Sequence, residues 1–230
     1  MGKRYFKPEI FEFLKELEAN NEKKWWEKNK KRYLSVVRDP SLEFISEFSN
    51  LLRGFSPHFV AEAKTVGGSL MRPYRDMRFS NDQTPYKTNV GIQFRHEAGK
   101  DVHAPGVYVH IEPGSCFAGV GLWSPETAVA HSIRRHINDN PDGWRNAAHT
   151  RAFANTWSFS HAEESLKRLP QQYDPEHPFA DDIRLKSFIA SRSLSQKAVT
   201  SSSFADDLGA DLEKARPLAA FLCEAIALPF

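Results

Sequence analysis

The sequence predicts an α+β chain in which N-terminal helices and a helical C-terminus flank a central antiparallel β-meander, with the helices packed on one face of the sheet. Three observations carry this reading. Apolar residues recur at helical spacing through positions 8–54, alternate one on and one off across the strand runs between Val90 and Trp123, and return to helical spacing from Ser203 onward. Length and composition agree: 230 residues, 40% hydrophobic and 26% charged, describe an ordinary folded chain. No repeat, low-complexity tract or long linker divides it, so one domain over 1–230 is expected.

The elements follow in order. Ile10, Phe11, Phe13, Leu14 and Leu17 predict a helix over 8–19, with Pro8 near its start, where a missing N–H is tolerated. A second helix over 22–38 carries Trp26, Tyr33 and Val37 on one side and Lys23, Lys24, Lys28, Lys30, Lys31 and Arg32 elsewhere. Pro40 marks a boundary, after which Leu42, Ile45, Phe48, Leu51 and Leu52 give a third helix closed by Gly54 as a left-handed cap. After Gly67 and Gly68 the period changes to two. Val90, Ile92 and Phe94 form one run, Val107, Val109 and Ile111 another, and 116–123 a third, with a turn at Pro113, Gly114 and Ser115 and a longer hairpin loop over 97–106.

One face of these strands is apolar and must cover a core. The other carries Gln93, His110, Glu112 and Phe117, with Gly119 and Gly121 leaving space beside Trp123. Beyond the meander, Ser124 is expected to cap a helix and a shorter helix to run toward Thr156, followed by a brief strand at 157–161. Three prolines hold 166–178 as ordered loop, a helical turn falls within 179–186, and 187–194 is expected as an edge strand. Ser203 with Asp206 starts the last helix, which Pro217 should break or kink.

Several function classes recede. Net charge is only +2, so no global field draws the chain toward nucleic acid or membrane. No run approaches the roughly 18 consecutive apolar residues of a membrane helix. Cys116 and Cys223 are far apart, and the N-terminus has no long apolar stretch; a cytoplasmic chain with unpaired thiols is expected. The lysines of the second helix are interspersed with Glu27 and read as a solvated face, with Trp25 and Trp26 as core anchors. His96, His103 and His110 are seven apart, which fits no metal motif, and the H-x-E of His110 to Glu112 lacks a later P-C-x-x-C. A nucleophile elbow, a phosphate loop and a dinucleotide fingerprint are all missing, and Cys116 reads as strand packing; no metal or cofactor is expected.

The stretch 70–88, LMRPYRDMRFSNDQTPYKT, survives this filtering. Arg72, Arg75 and Arg78 recur at every third position among Asp76 and Asp82, and Pro73 and Pro85 make the segment too irregular for one helix or strand, so it is expected as loop. Arginine offers a planar fork of donors suited to phosphate or carboxylate; Lys87 adds a point charge and Tyr86 a hydroxyl or ring face. Arg72, Arg75, Arg78, Tyr86 and Lys87 are therefore the expected ligand-binding set for a small anionic or polar metabolite. His110 is the natural proton shuttle, with Glu112 orienting it or acting as base. Whether a reaction follows binding, and in what oligomeric state, is not written in these residues. The alternative is a non-enzymatic module for nucleic acid or protein, in which the arginines pair with Asp76, Asp82, Glu112 or free carbonyls and act as a structural lock.

RDMRFSNDQTPYKT, preceded by FLKELEANNEKKWWEKNKKRY and followed by YVHIEPGSCFAGVGLW and LKRLPQQYDPEHP, resembles a bacterial and fungal family known as domain-of-unknown-function family 2461, in four blocks over about 6–188. The resemblance implies a single α+β domain and brings no activity, substrate or cofactor with it. It singles out Arg75, Asp76, Arg78, Phe79, Ser80, Asp82, Pro85, Tyr86 and Lys87 as motif positions. Asn81 and Gln83 stand where similar proteins carry basic residues, and Gln171 with Gln172 replaces an arginine and a glycine, which weakens a polyanion reading for this member.

Overall fold

The computed structural model describes residues 2–76, 82–99, 104–160 and 165–230. Arg78, Phe79, Ser80 and Asn81 of the central motif, and His103, lie outside the described residues.

Helix α1 (Glu9–Ala19) buries Ile10, Phe11, Phe13, Leu14 and Leu17, the stripe its spacing predicts. Helix α2 (Lys23–Tyr33) buries Trp26 and Tyr33 and leaves its lysines exposed. The chain then passes through a π-helical turn, Leu34–Arg38, straight into α3 (Asp39–Phe55). Pro40 therefore does not separate two helices: it sits in the first turn of α3, beside a widened turn that absorbs its missing N–H. Nor does Gly54 cap α3. It is helical, and the extended Ser56 ends the helix, its N–H bonding to the Leu52 carbonyl.

The described strands form one antiparallel sheet of β1 (Phe59–Val60), β2 (Val90–His96), β3 (Gly106–Ile111), β4 (Cys116–Leu122), β5 (Ser158–Phe159) and β6 (Phe188–Leu194), in the order β1-β2-β3-β4-β6-β5. The turn between β3 and β4 is the expected one: Gly114 takes φ 82° and Ser115 N–H bonds to the Glu112 carbonyl at 3.1 Å. Residues 187–194 were expected at an edge, but β6 lies inside the sheet, because β5 pairs with its outer side through Ser158 opposite Ser191 and Phe159 opposite Ala190.

Between and after the strands come α4 (Thr127–Asp139), α5 (Pro141–Ala148), α6 (Arg151–Ala154), α7 (Ala180–Ile183), α8 (Gln196–Val199) and α9 (Phe204–Ala225). Ser124 is not the cap of α4; Glu126 holds that position, while Ser124 adopts φ 45° and gives its N–H to Ser187 Oγ at 3.0 Å. Pro217 does not break α9, which runs on through it and buries Leu218, Phe221 and Leu222 beyond. Helix α9 packs on β4 and against α3 and α5. Val90, Ile92, Phe94, Val107, Val109, Ile111, Ala118, Val120 and Leu122 join one buried cluster with the helices. The described helices thus share a core with this face of the sheet, while Gln93, Tyr108, Phe117 and Ser191 lie on the opposite one. Among the described residues no helix is long and apolar enough to cross a membrane.

Candidate functional site

In its described residues the stretch expected as loop runs as two paired arms. Leu70 pairs with Ile92 and Tyr74 with Tyr86, both antiparallel, so 69–75 and 85–93 run side by side and extend β2 outward. Lys87 N–H bonds to the Pro73 carbonyl at 2.7 Å and Arg75 N–H to the Pro85 carbonyl at 3.0 Å. In each of these pairs the proline accepts but cannot return a bond, so the ladder holds half its usual links. This is why the sequence reads as irregular. Alternation along the arms sets Arg75 and Lys87 on one side and Tyr74 and Tyr86 on the other.

The tyrosine side belongs to the core. Tyr86 is buried and its ring stacks on Trp26 at 4.3 Å between centroids and 14° between planes. Asn21 clamps the same residue, donating to the Tyr86 carbonyl at 2.8 Å and accepting its N–H at 3.1 Å. Trp25 packs on Phe13. Both tryptophans of α2 are thus anchors for the hairpin and for α1.

The other side is cationic. Arg75 donates from Nη1 to Asp82 and, at 2.8 Å, to Thr84 Oγ1. The Asp82 carboxyl is held below its usual range by the Thr84 N–H first, then by the Thr84 hydroxyl and Arg75. Lys87 is half-buried, and among the described residues neither it nor the exposed Arg72 forms an ion pair. Desolvation lowers the Lys87 ammonium below the ordinary lysine value, and the charges of Arg72 and Arg75 lower it further.

Thr88 and Asn89, which join Lys87 to β2, lead to the second group. Thr88 Oγ1 donates to Glu112 Oε1 at 3.3 Å, and Asn89 Nδ2 lies 3.4 Å from His110 Nδ1. His110 Nε2 is 3.1 Å from Glu112 Oε2 and its Nδ1 is 3.0 Å from the Tyr108 hydroxyl. An ionised carboxylate only accepts, so Nε2 carries the proton and Nδ1 accepts from Tyr108. Phe117 stacks on the imidazole at 4.7 Å and 13°, fixing its plane. Burial, aided by the Glu112 charge, pushes the Tyr108 hydroxyl up to about 12, so it keeps its proton at neutral pH. The Cys116 thiol is likewise pushed up by burial and donates to the Glu112 carbonyl at 3.2 Å, which makes it a poor nucleophile.

Register places the open face as the alternation predicts. Gln93 stands opposite Tyr108, Tyr108 opposite Gly119, His110 opposite Phe117 and Gly106 opposite Gly121. Above it lies a cavity of about 650 Å³, whose walls include Met71, Gln93, Tyr108, Phe117, Trp123 and Ser191. His110 and Glu112 stand behind Tyr108 and Phe117 rather than in the wall. Of the four predicted ligand residues that are described, Tyr86 turns away from the other three. Arg72, Arg75 and Lys87 share one electrostatic neighbourhood, Tyr86 points into the core, and Arg78 lies outside the described residues. No hydrogen bond or ion pair joins Arg72, Arg75 or Lys87 directly to His110 or Glu112 among the described residues; Thr88 and Asn89 are the link. No three His, Cys, Asp or Glu side chains of the described residues converge as metal ligands.

Sequence reasoning missed Tyr108, although the alternation that selects His110 selects it too. It also missed Ser191 and Ser193, because it could not place β6 beside β4. A family model described as conserved hypothetical protein (DUF2461) matches residues 9–221. No curated protein and no solved structure matches the chain.

Proposed function

The chain belongs to the DUF2461 family of conserved hypothetical proteins, and from its geometry we propose that it binds a small metabolite through an anionic group held by Lys87, with the Arg72 charge adding to the attraction and the body of the molecule toward the open face of the meander. Lys87 carries this reading. A half-buried ammonium crowded by two guanidinium groups costs free energy in the empty protein, and an incoming phosphate or carboxylate offsets that cost. Tyr108, His110 and Glu112 form an ordered donor-to-acceptor chain beginning in the cavity wall, which favours proton transfer to or from the bound molecule over binding alone.

The test is thermal denaturation with inorganic phosphate as probe. At about ten times its dissociation constant a ligand of the folded state adds about 1.4 kcal/mol, or roughly 3–6 °C in Tm for a chain of this size. The shift is expected in the wild type and not in Lys87→Met. An equal shift in the variant sinks the proposal.

A second reading is favoured by one observation: the Arg75 guanidinium is already engaged by Asp82 and Thr84 at the hairpin end. There it acts as a structural lock, as in a binding module with no chemistry. Arg75→Ala then lowers Tm sharply with the phosphate response intact; a small loss of Tm with a lost response favours the ligand role.

A further inference from the structure

We infer that the cavity over the open face of the sheet takes a flat, uncharged heteroaromatic ring, laid on a floor of glycine backbone and oriented by hydrogen bonds at its edge. The inference rests on the proposed function in taking this ring as the body of the molecule whose anionic group meets Lys87.

The floor comes from β3 and β4. Gly106 faces Gly121 across the two strands and Gly119 lies next along, opposite Tyr108, so three positions of this face carry no side chain. Gly121 needs to be glycine for the backbone's sake. Its φ is 130°, and a Cβ there would fall inside contact with the Phe188 carbonyl and 3.0 Å from Ile189 Cα. Gly119 has no such need: its φ is not positive, and an added Cβ would lie 3.1 Å from Ile189 Cδ1, 3.5 Å from its Cγ1 and 3.8 Å from the Ala190 carbonyl. The missing side chain lets Ile189 lean across from β6, so the floor of the cavity is bare β4 backbone with the Ile189 side chain against it.

Around the floor stand Tyr108, Phe117 and Trp123, with Trp123 58% exposed at the rim. A large ring left in water beside two others is a ready stacking surface. Chemistry of the wall then selects the ligand. None of the described lining residues is charged, so among them a charged group buried here would find no partner for the water it loses. Gln93, Ser191, Ser193 and the Tyr108 hydroxyl supply donors and acceptors for a neutral ring edge. About 650 Å³ is ample for a two-ring system. Tyr108 holds its proton and gives it to His110 Nδ1, so its hydroxyl oxygen presents a fixed acceptor toward a ring N–H or amino group.

Adenine, flat and neutral at pH 7.5, is a suitable probe, followed by saturation-transfer NMR and calorimetry, with inorganic phosphate titrated separately. Saturable adenine binding is expected in the wild type, weakened at least tenfold by Gly119→Val and about three- to tenfold by Tyr108→Phe. Should Gly119→Val fail to fold, Ser191→Leu fills the same space from β6. The inference is overturned if adenine does not saturate while phosphate does, a result that leaves the anion reading standing. Adenine binding that resists both filling variants also overturns it. Saturable adenine binding lost in a filling variant, with no response to phosphate, upholds this inference and removes the anion reading. A dimer in sedimentation that buries Trp123 and excludes adenine assigns the face to a second copy, against the inference.

Discussion

Alanine at Gly121 and alanine at Gly119, two residues apart on the same face of β4, are expected to differ by about 2–3 kcal/mol in their cost. At Gly121 the φ of 130° lies where other residues are strained by roughly 1–3 kcal/mol. The new Cβ would also strike the Phe188 carbonyl and approach Ile189 Cα to 3.0 Å, and both are backbone atoms that can retreat only by parting β4 from β6. A total of at least about 3 kcal/mol, or roughly 6–12 °C in Tm, follows for a chain of this length. At Gly119 the collision is with Ile189 Cδ1, which turns aside cheaply, and alanine is no worse than glycine within a strand. A change within about 1 kcal/mol is expected. Urea denaturation of the two variants with a common m-value measures both. Equal losses would refute the reasoning, since they would mean that β4 meets β6 in another register and that the floor of the cavity is not built as described.

Tyr86→Ala should cost about 3–5 kcal/mol by chemical denaturation, because it empties the space against Trp26, whereas Tyr86→Phe should stay within about 1 kcal/mol. A ligand role for the hydroxyl would show instead as lost binding in the phenylalanine variant. Arg134→Met should cost about 2–4 kcal/mol, since the guanidinium donates to the buried carbonyls of Ile183 at 2.8 Å and Leu185 at 2.7 Å and nothing replaces it. Lys87 predicts a pH effect. Its lowered value means that the folded chain releases this proton first, so as pH rises toward the ordinary 10.5 the unfolded chain holds more protons and stability rises. The gap in Tm between wild type and Lys87→Met should therefore move in the wild type's favour as pH is raised, and saturating phosphate should suppress the movement; a pH-independent gap contradicts it.

What could be read from the residues was what repeats. Alternation at Val90, Ile92 and Phe94, and at Val107, Val109 and Ile111, placed these six side chains in the core as the structure has them, so most of the opposite, polar face was legible too. Punctuation was less legible. Pro40 and Pro217 look like stops, but a π-helical turn accommodates the first and the packing of Leu218 and Leu222 holds α9 through the second. Pro73 and Pro85 disguise a hairpin as loop by deleting donors while leaving acceptors. Partners distant in sequence were least legible. Nothing in β6 says that it lies between β4 and β5, and no local pattern says that Tyr86 will stack on Trp26 sixty residues earlier. For the candidate site, residue chemistry found the cations and the His110–Glu112 pair, but only register added Tyr108 and the serines.

The sheet ends in two strands of two residues each, β1 and β5. A broad sheet with one side uncovered by helices would ordinarily invite growth, strand adding to strand from molecule to molecule. Among the described residues the outermost strand on either flank offers a newcomer two residues, and the arm beside β2 carries Pro73. Short outermost strands of this kind give edge pairing little to build on, so the open face can stay exposed at low risk of strand-by-strand growth.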